Sequence, residues 1–274
     1  MHNELEFRRS ALYDEVEAGD AEWVGARIGF DNEDLLRKFI MQGGSKWAAW
    51  ICPSAPCDRL LLVANWTSLL FVFDDAIKRE SHLTSRDGGL DSFLGDLLEG
   101  LRLGTSLGGG PLLRRLEVPF RDLWERTTRI MSISQIDRLT EAMSAYFAGI
   151  SKEMNILRGA TPDSFESVLA ARMDAVAMNF FWLLCEIGVN SDISVSWRSG
   201  AMDRLHREAR RHVALVNDLY TFRKEYFEGD YMNTVCALRW REGLSLQSCI
   251  DRICHEILNS EAKFLRERLD STMR

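Results

Sequence analysis

Apolar residues recur at helical spacing along most of this chain, and this periodicity restricts the possible folds more than any other feature. In the stretch 134–157, apolar and aromatic residues return every three or four positions, at Ile136, Leu139, Met143, Tyr146, Phe147, Ile150 and Met154. That repeat is typical of one buried helix face. The sequence has no β-branched runs of period two, and no proline follows Pro162. The pattern predicts an all-α protein, a bundle of many helices.

Local capping signals predict where the longer helices begin. Ser134 and Asp137 are expected to cap the helix over 134–157. Thr161-Pro162 is a favourable start for a helix toward Ile187, which an internal break could interrupt. Two more long helices are predicted over 202–227 and 244–269. The polar or glycine-rich stretches 84–89 and 104–110 are predicted to be loops.

Composition excludes several classes of protein. The 274 residues are 46% hydrophobic and 27% charged, which is typical of a globular protein that buries a sizeable core. The net charge of −7 argues against nucleic-acid binding. No uninterrupted apolar run reaches the roughly 18 residues that span a bilayer, and the polar start does not resemble a signal peptide. Six scattered cysteines without a C-x-x-C pair indicate free thiols. We therefore expect a cytoplasmic protein that binds no membrane.

The segment from Asn217 to Glu225 has the spacing of a metal site. Asn217, Thr221 and Glu225 stand at i, i+4 and i+8, so they share one face of a helix. Amide, hydroxyl and carboxylate oxygens are hard ligands of the kind that Mg²⁺ prefers. Lys224 lies beside them and could neutralise a phosphate. The spacing predicts a Mg²⁺ site on this helix.

A second acidic motif, Asp74-Asp75, directly follows the apolar run 69–73. Adjacent carboxylates repel each other unless a cation holds them. A helix end that reaches solvent is the alternative explanation. Together, the two motifs suggest Mg²⁺ ions that clamp a diphosphate.

These motifs resemble those of class I terpene synthases, of the microbial single-domain kind. The family has an aspartate-rich motif at the end of one helix and an Asn-Asp-x-x-Ser/Thr-x-x-x-Glu motif on a facing helix. Here Asn217-Asp218 through Glu225, followed by Gly229-Asp230 and Asn233, is similar to the second motif. The resemblance covers most of the chain. It implies one domain over residues 1–274, a helical bundle of the isoprenoid synthase type with a central active-site cavity.

The resemblance also implies a set of metal ligands. Three Mg²⁺ ions would be bound by Asp74 on one side and by Asn217, Thr221 and Glu225 on the other. Asp75 would support a nearby lysine or arginine.

Two basic residues would bind the diphosphate together with Asn217. Arg172, which lies among small and apolar residues, would bind and sense the diphosphate, and Lys224 would add charge and hydrogen bonds. In the family, a small polar residue and then a glycine at a helix break follow this arginine. This chain has Ala175 and Val176 there, so the sequence does not predict the break.

Other residues are assigned supporting or lining roles. Aromatic side chains at Phe71, Phe180, Trp47 and Trp50 would line the substrate pocket and stabilise cations, although ordinary core packing explains them equally well. Asp218 is a candidate for supporting the ligands. Glu80 lies six residues after Asp74, off its helix face, and is either a similar support or a surface charge.

The implied enzyme is a carbon–oxygen lyase of secondary metabolism. It would ionise a linear prenyl diphosphate, farnesyl or geranylgeranyl, and cyclise the carbocation to a terpene hydrocarbon or alcohol. Many relatives are homodimers, so a homodimer is one expected state. The family's C-terminal Arg-Tyr pair is missing before Arg274, so we expect either a truncated chain or an enzyme without that cap.

Three alternatives stay open. A chain-elongating prenyltransferase or a head-to-head condensing enzyme would carry two aspartate-rich motifs, and the Asn-Thr-Glu set argues against both. A non-catalytic homologue that binds prenyl diphosphates would have lost ligands.

Overall fold

The computed structural model describes residues 7–79, 89–105, 111–157, 164–197 and 199–272. Over these ranges, regular secondary structure is α-helical throughout, as the periodicity predicts. The helices are α1 (Tyr13–Arg27), α2 (Glu33–Ile40), α3 (Gly44–Ile51), α4 (Cys57–Arg79), α5 (Gly89–Leu103), α6 (Pro111–Thr128), α7 (Ile133–Leu157), α8 (Phe165–Ala175), α9 (Met178–Gly188), α10 (Ser194–Trp197), α11 (Gly200–Glu228), α12 (Thr234–Arg241) and α13 (Leu246–Thr272).

One predicted helix start is wrong, and another lies outside the described residues. Helix α7 is capped by Ser132 rather than Ser134, because the Ser132 hydroxyl accepts a hydrogen bond from the Gln135 amide and the Gln135 side chain accepts one from the Ser132 amide. This reciprocal pair is a capping box. Helix α8 begins after Ser164, whose hydroxyl accepts from the Ser167 amide at 3.1 Å. Thr161-Pro162 lies outside the described residues.

The helices form two compact units. The first unit contains residues 1–138 and 182–192, and the second contains residues 139–181 and 193–274. Helix α4 is the centre of the first unit and packs against α1, α3 and α6. Its inner face is fully buried at Leu60, Trp66, Leu69 and Phe73. Asp74 and Asp75 therefore follow directly after Phe73, whose ring is fully buried.

Polar contacts fix α4 within the first unit. The buried carboxylate of Asp20 accepts hydrogen bonds from Asn65 Nδ2 and Ser68 Oγ, both at 2.7 Å. Burial raises the pKa of Asp20, and the two hydrogen bonds lower it in part. On the same helix, Trp66 Nε1 donates to Thr127 Oγ1 at 2.7 Å. Because these buried polar groups have specific partners, α4 has one preferred position against its neighbours.

The second unit is built around α11, which packs against α8, α12 and α13. Their shared core consists of Phe165, Leu169, Ala214, Leu215, Val235, Leu238, Cys249 and Ile253. This packing fixes the positions of α8, which carries Arg172, and α11, which carries Asn217.

The helix after Arg172 is broken, which the residues at 175 and 176 did not predict. Helix α8 ends at Ala175, α9 begins at Met178, and Ala177 has a left-handed φ of 56°. A Cβ atom placed on Gly149 of α7 would lie 2.6 Å from the Ala175 nitrogen. The backbone of α7 therefore approaches the break more closely than any side chain would allow. The glycine that permits this conformation is on the neighbouring helix and not in the break itself.

Two segments are long and apolar enough to span a membrane by length and composition alone. They are Cys57–Ile77 and Phe165–Gly188, and charged residues such as Asp74 and Arg172 interrupt both. In their most apolar windows, 72% and 56% of the residues are buried inside the protein, as in core helices of soluble proteins. The two segments are therefore weak evidence for membrane insertion, because buried core helices pass the same test of length and composition.

Replacing Gly149 by alanine is expected to destabilise the protein by about 1–3 kcal/mol, because the new methyl group would press against the backbone of Asp174 and Ala175. The matched control is Gly95→Ala in α5, where an added Cβ meets nothing within 4 Å. That change is expected to stabilise by roughly 0.5–1 kcal/mol, since alanine favours a helix over glycine. Urea unfolding measures the free energy of unfolding of both variants. Equal effects of the two substitutions would contradict the close approach at Gly149.

Candidate active site

Helix α11 carries Asn217, Thr221 and Glu225 on one face, as their spacing predicts. The helix begins after Ser199, whose hydroxyl accepts from the Met202 amide, and ends at Gly229 with a left-handed φ of 79°. The Thr221 hydroxyl donates to the Asn217 carbonyl at 2.8 Å. Asn217 is exposed, and Thr221 and Glu225 are half-buried. The three side chains can therefore be reached by a ligand from solvent.

Arg172 lies directly beside this set. Its guanidinium is buried and donates from Nε to Asp218 Oδ1 at 2.7 Å, from Nη2 to Asn217 Oδ1 at 2.6 Å, and from Nη1 to Glu153. Burial alone would lower the pKa of Arg172, but the Asp218, Glu153 and Glu225 carboxylates raise it well above its ordinary value. The guanidinium is therefore a permanent positive charge, and one of its partners is a predicted metal ligand.

Glu153 is a partner of Arg172 that the sequence analysis missed. It lies on α7 and is buried, with 5% of its surface exposed. The sequence does contain a signal for Glu153, because this residue falls on the same helix face as the buried Tyr146 and Ile150. A carboxylate within an apolar helix stripe usually has a charged partner, and here that partner is Arg172.

Asp218 supports its neighbours and faces away from the ligand set. It is fully buried, and one carboxylate oxygen accepts from Arg172 while the other accepts from the Thr234 amide at 2.7 Å. Its position directly after Asn217 places it on a different helix face. The supporting role expected for Asp218 from the sequence stays a prediction.

The Glu225 carboxylate accepts a hydrogen bond from Asn233 Nδ2 at 2.9 Å. Burial raises the pKa of Glu225, while the Asn233 hydrogen bond and the positive charge of Arg172 lower it in part. The carboxylates of Glu153 and Asp218 contact the Arg172 guanidinium, and Glu225 adds a third negative charge that acts on it electrostatically. The excess negative charge and the hard oxygen donors fit a divalent cation.

The aspartate pair belongs to the first unit. Asp74 and Asp75 are half-buried on α4, after Phe73, whose ring packs edge-on against Phe120 with centroids 5.3 Å apart. The helix continues beyond the pair to Arg79, so the pair does not form its tip. Glu80 lies outside the described residues.

The predicted lining residues differ in exposure. Phe71 and Trp47 are half-buried in the first unit, and Trp50 is 41% exposed with its ring edge-on to Phe7. Phe180, in the second unit, is almost fully buried and packs edge-on against Phe181. Lys224 is exposed on α11, beside the ligand face.

Cysteine and histidine side chains form no alternative metal site among the residues that the structure describes. All six cysteines are free thiols, as the sequence predicts. In the part of the chain that the structure describes, no group of three or more His, Cys, Asp or Glu side chains could hold a metal ion. The predicted Asn-Thr-Glu face depends on amide and hydroxyl oxygens, so it is not a group of this kind.

Comparison with known proteins identifies the family. The sequence model described as terpene synthase family 2, C-terminal metal binding, matches residues 65–263. The chain therefore belongs to the terpene synthases, a family of lyases, and the model that it matches describes the family's metal-binding domain.

Individual relatives support the same conclusion. The chain is 26% identical over 257 residues to (2Z,6E)-hedycaryol synthase of Kitasatospora setae, covering 90% of this chain and 74% of that protein. It is 23% identical over 207 residues to sesquiterpene synthase 6 of Postia placenta, covering 75% of this chain and 59% of that protein.

The fold agrees with a solved structure of linalool/nerolidol synthase from Streptomyces clavuligerus in complex with 2-fluorogeranyl diphosphate. The TM-score is 0.84 at 23% identity, with 95% of this chain and 88% of that chain covered. The all-α class I isoprenoid synthase fold is thereby confirmed.

Truncating Glu153 to alanine is expected to destabilise the protein by about 3–5 kcal/mol, because it removes one partner of a buried charge pair. Glu153→Gln keeps an acceptor for Arg172 and is expected to cost less, about 1–3 kcal/mol. The control is Glu125→Ala, which breaks an exposed pair with Arg129 and should cost less than about 1 kcal/mol. Urea unfolding compares the three. If Glu153→Ala costs no more than Glu125→Ala, the ion pair does not hold Arg172.

Proposed function

We propose that this terpene synthase ionises a linear prenyl diphosphate in the presence of Mg²⁺ and cyclises the resulting carbocation to a terpene hydrocarbon or alcohol, with release of diphosphate. The observation that carries the proposal is the contact between Arg172 and Asn217, at 2.6 Å, on the face that also presents Thr221 and Glu225. It joins a buried positive charge to hard oxygen ligands, the combination that a metal-bound diphosphate requires.

In this proposal Asn217, Thr221 and Glu225 hold metal on α11, and Asp74 holds metal on α4, with Asp75 supporting a neighbouring basic side chain. When bound, Mg²⁺, three ions by the family resemblance, would stabilise the negative charge of the leaving diphosphate. Glu80 stays either a support for these ligands or a surface charge.

Arg172 and Lys224 bind the diphosphate oxygens. Arg172 can do so by exchanging its Asn217 hydrogen bond for one to the diphosphate, while Glu153 and Asp218 keep the guanidinium in place. Lys224 is exposed on α11 and can approach the substrate from solvent. Both contacts strengthen as negative charge develops on the leaving group.

The organic part of the substrate would be enclosed by aromatic side chains. We propose Phe71, Phe180, Trp47 and Trp50 as lining residues, because aromatic rings stabilise cations through their negative faces. Farnesyl diphosphate is the proposed substrate, supported by the sesquiterpene synthase among the relatives, and geranylgeranyl diphosphate is the alternative. We further propose a single-domain, soluble, cytoplasmic enzyme that can form a homodimer.

The activity can be tested by incubating the chain with Mg²⁺ and, separately, geranyl, farnesyl or geranylgeranyl diphosphate. Extracts are analysed by gas chromatography with mass detection. A terpene formed from farnesyl diphosphate and absent from the EDTA control is expected. No metal-dependent product from any of the three substrates would contradict the proposal and favour a non-catalytic binding role.

Asn217→Ala and Asp74→Ala are each expected to lower turnover by about 100-fold or more, the scale of losing a contact to the developing charge. Both variants should remain folded, and Asn217→Ala should lower the thermal unfolding temperature more than Asp74→Ala, because it also removes a hydrogen-bond partner of the buried Arg172. The controls are Asn259→Ala and Asp251→Ala, which remove the same side chains from the exposed face of α13. Near-normal turnover in either site variant would refute the metal assignment for that residue.

A further inference from the structure

The segment that joins α11 to α12 folds back against the metal-binding helix. Gly229 adopts a left-handed conformation that ends α11, and the Asp230 amide donates to the Glu225 carbonyl at 2.9 Å. Asp230 Oδ1 then accepts from the Met232 amide at 3.1 Å. This turn brings Asn233 against α11, where its side chain is completely buried.

Each polar atom of the Asn233 side chain has a partner. Nδ2 donates to Glu225 Oε2 at 2.9 Å and to the Asp218 carbonyl at 2.8 Å. Oδ1 accepts from the Val235 amide at 2.9 Å and so caps α12. The amide group therefore connects the first turn of α12 to a predicted metal ligand.

The next residue extends this connection toward Arg172. The Thr234 amide donates to Asp218 Oδ2, and Asp218 Oδ1 accepts from Arg172 Nε, both at 2.7 Å. The first turn of α12 thus contacts the carboxylate that ligates metal and the carboxylate that holds the diphosphate-binding arginine.

We propose that Asn233 is a positioning residue for the metal site: its Nδ2 group holds the Glu225 carboxylate in the orientation that binds the divalent cation. The inference rests on the proposed function, since it requires Glu225 to be a ligand. Carboxylates that ligate metals are themselves held by hydrogen bonds, and losing such a partner typically costs 10–100-fold in metal affinity.

The requirement for asparagine distinguishes this role from helix capping. A cap needs only an acceptor, and serine or threonine provides one. Neither of their hydroxyls can donate to Glu225 Oε2 and to the Asp218 carbonyl together, because a hydroxyl has a single proton. The two donated hydrogen bonds are therefore the part of the Asn233 geometry that capping does not explain.

The test compares Asn233→Ser and Asn233→Thr with the wild type. Both replacements are uncharged and keep a capping oxygen for α12. The matched controls are Asn32→Ser and Asn32→Thr, because Asn32 caps α2 through the Leu35 amide at 3.0 Å and is exposed in the first unit. The whole chain is used, and Mn²⁺ binding with inorganic diphosphate is measured by electron paramagnetic resonance.

The Asn233 variants are expected to bind Mn²⁺ 10–100-fold more weakly than the wild type, and the Asn32 variants within twofold of it. In turnover assays, the Mg²⁺ concentration for half-maximal rate should rise by a similar factor, with kcat recovering at saturating Mg²⁺. A purely structural role would lower the unfolding temperature without changing Mn²⁺ affinity.

Two results would overturn the inference, and they differ in what else they affect. Asn233 variants that remain folded and bind Mn²⁺ like the wild type would refute the positioning role while leaving the proposed function intact. A wild-type chain that binds no Mn²⁺ with diphosphate would refute the proposed metal site as well. The second Asn233 variant provides the comparison if the first does not fold.

Discussion

The buried guanidinium of Arg172 organises the second unit. It binds Glu153 on α7, and Asp218 and Asn217 on α11, while its own backbone belongs to α8. A buried charge is tolerated only when paired partners compensate for the loss of water, so these helices are held at distances that keep the pairs intact. The position of the Asn-Thr-Glu face follows from this constraint, because Asn217 is one of the partners.

The charge balance around Arg172 explains how a stable protein core can also accept a cation. Two carboxylates contact the guanidinium, the charge of Glu225 acts on it electrostatically, and burial raises the pKa of Glu225. A divalent cation at the oxygen face would reduce this excess negative charge. The hydrogen bond from the Thr234 amide, in the first turn of α12, holds the Asp218 carboxylate in its inward orientation.

The break between α8 and α9 shows how one local conformation depends on a distant residue. Ala177 is in the left-handed region, which costs an alanine roughly 1 kcal/mol or more. The close approach of α7 at Gly149 accompanies it, since only glycine leaves room for the Ala175 backbone there. Packing of this kind can hold a strained backbone close to the arginine that would sense the diphosphate.

The sequence by itself determined the helical class and the grouping of the predicted ligands on one face of α11, because both depend on local spacing. Residues four positions apart share a helix face whatever surrounds the helix, so Asn217, Thr221 and Glu225 could be grouped without coordinates. The isolated arginine at position 172 also indicated a partner. The lining roles of Phe71, Phe180, Trp47 and Trp50 stay predictions, since spacing does not distinguish a pocket wall from a packed core.

Only the tertiary structure decided which residues hold those groups in place. Glu153 is on another helix from Arg172, and Asn233 reaches Glu225 only because a left-handed glycine folds the chain back. The break between α8 and α9 is a third case, because the glycine that leaves room for the Ala175 backbone is Gly149 on α7. Hydrogen bonds and close packing act between segments that are distant in sequence, and the period of a helix carries no information about such pairs.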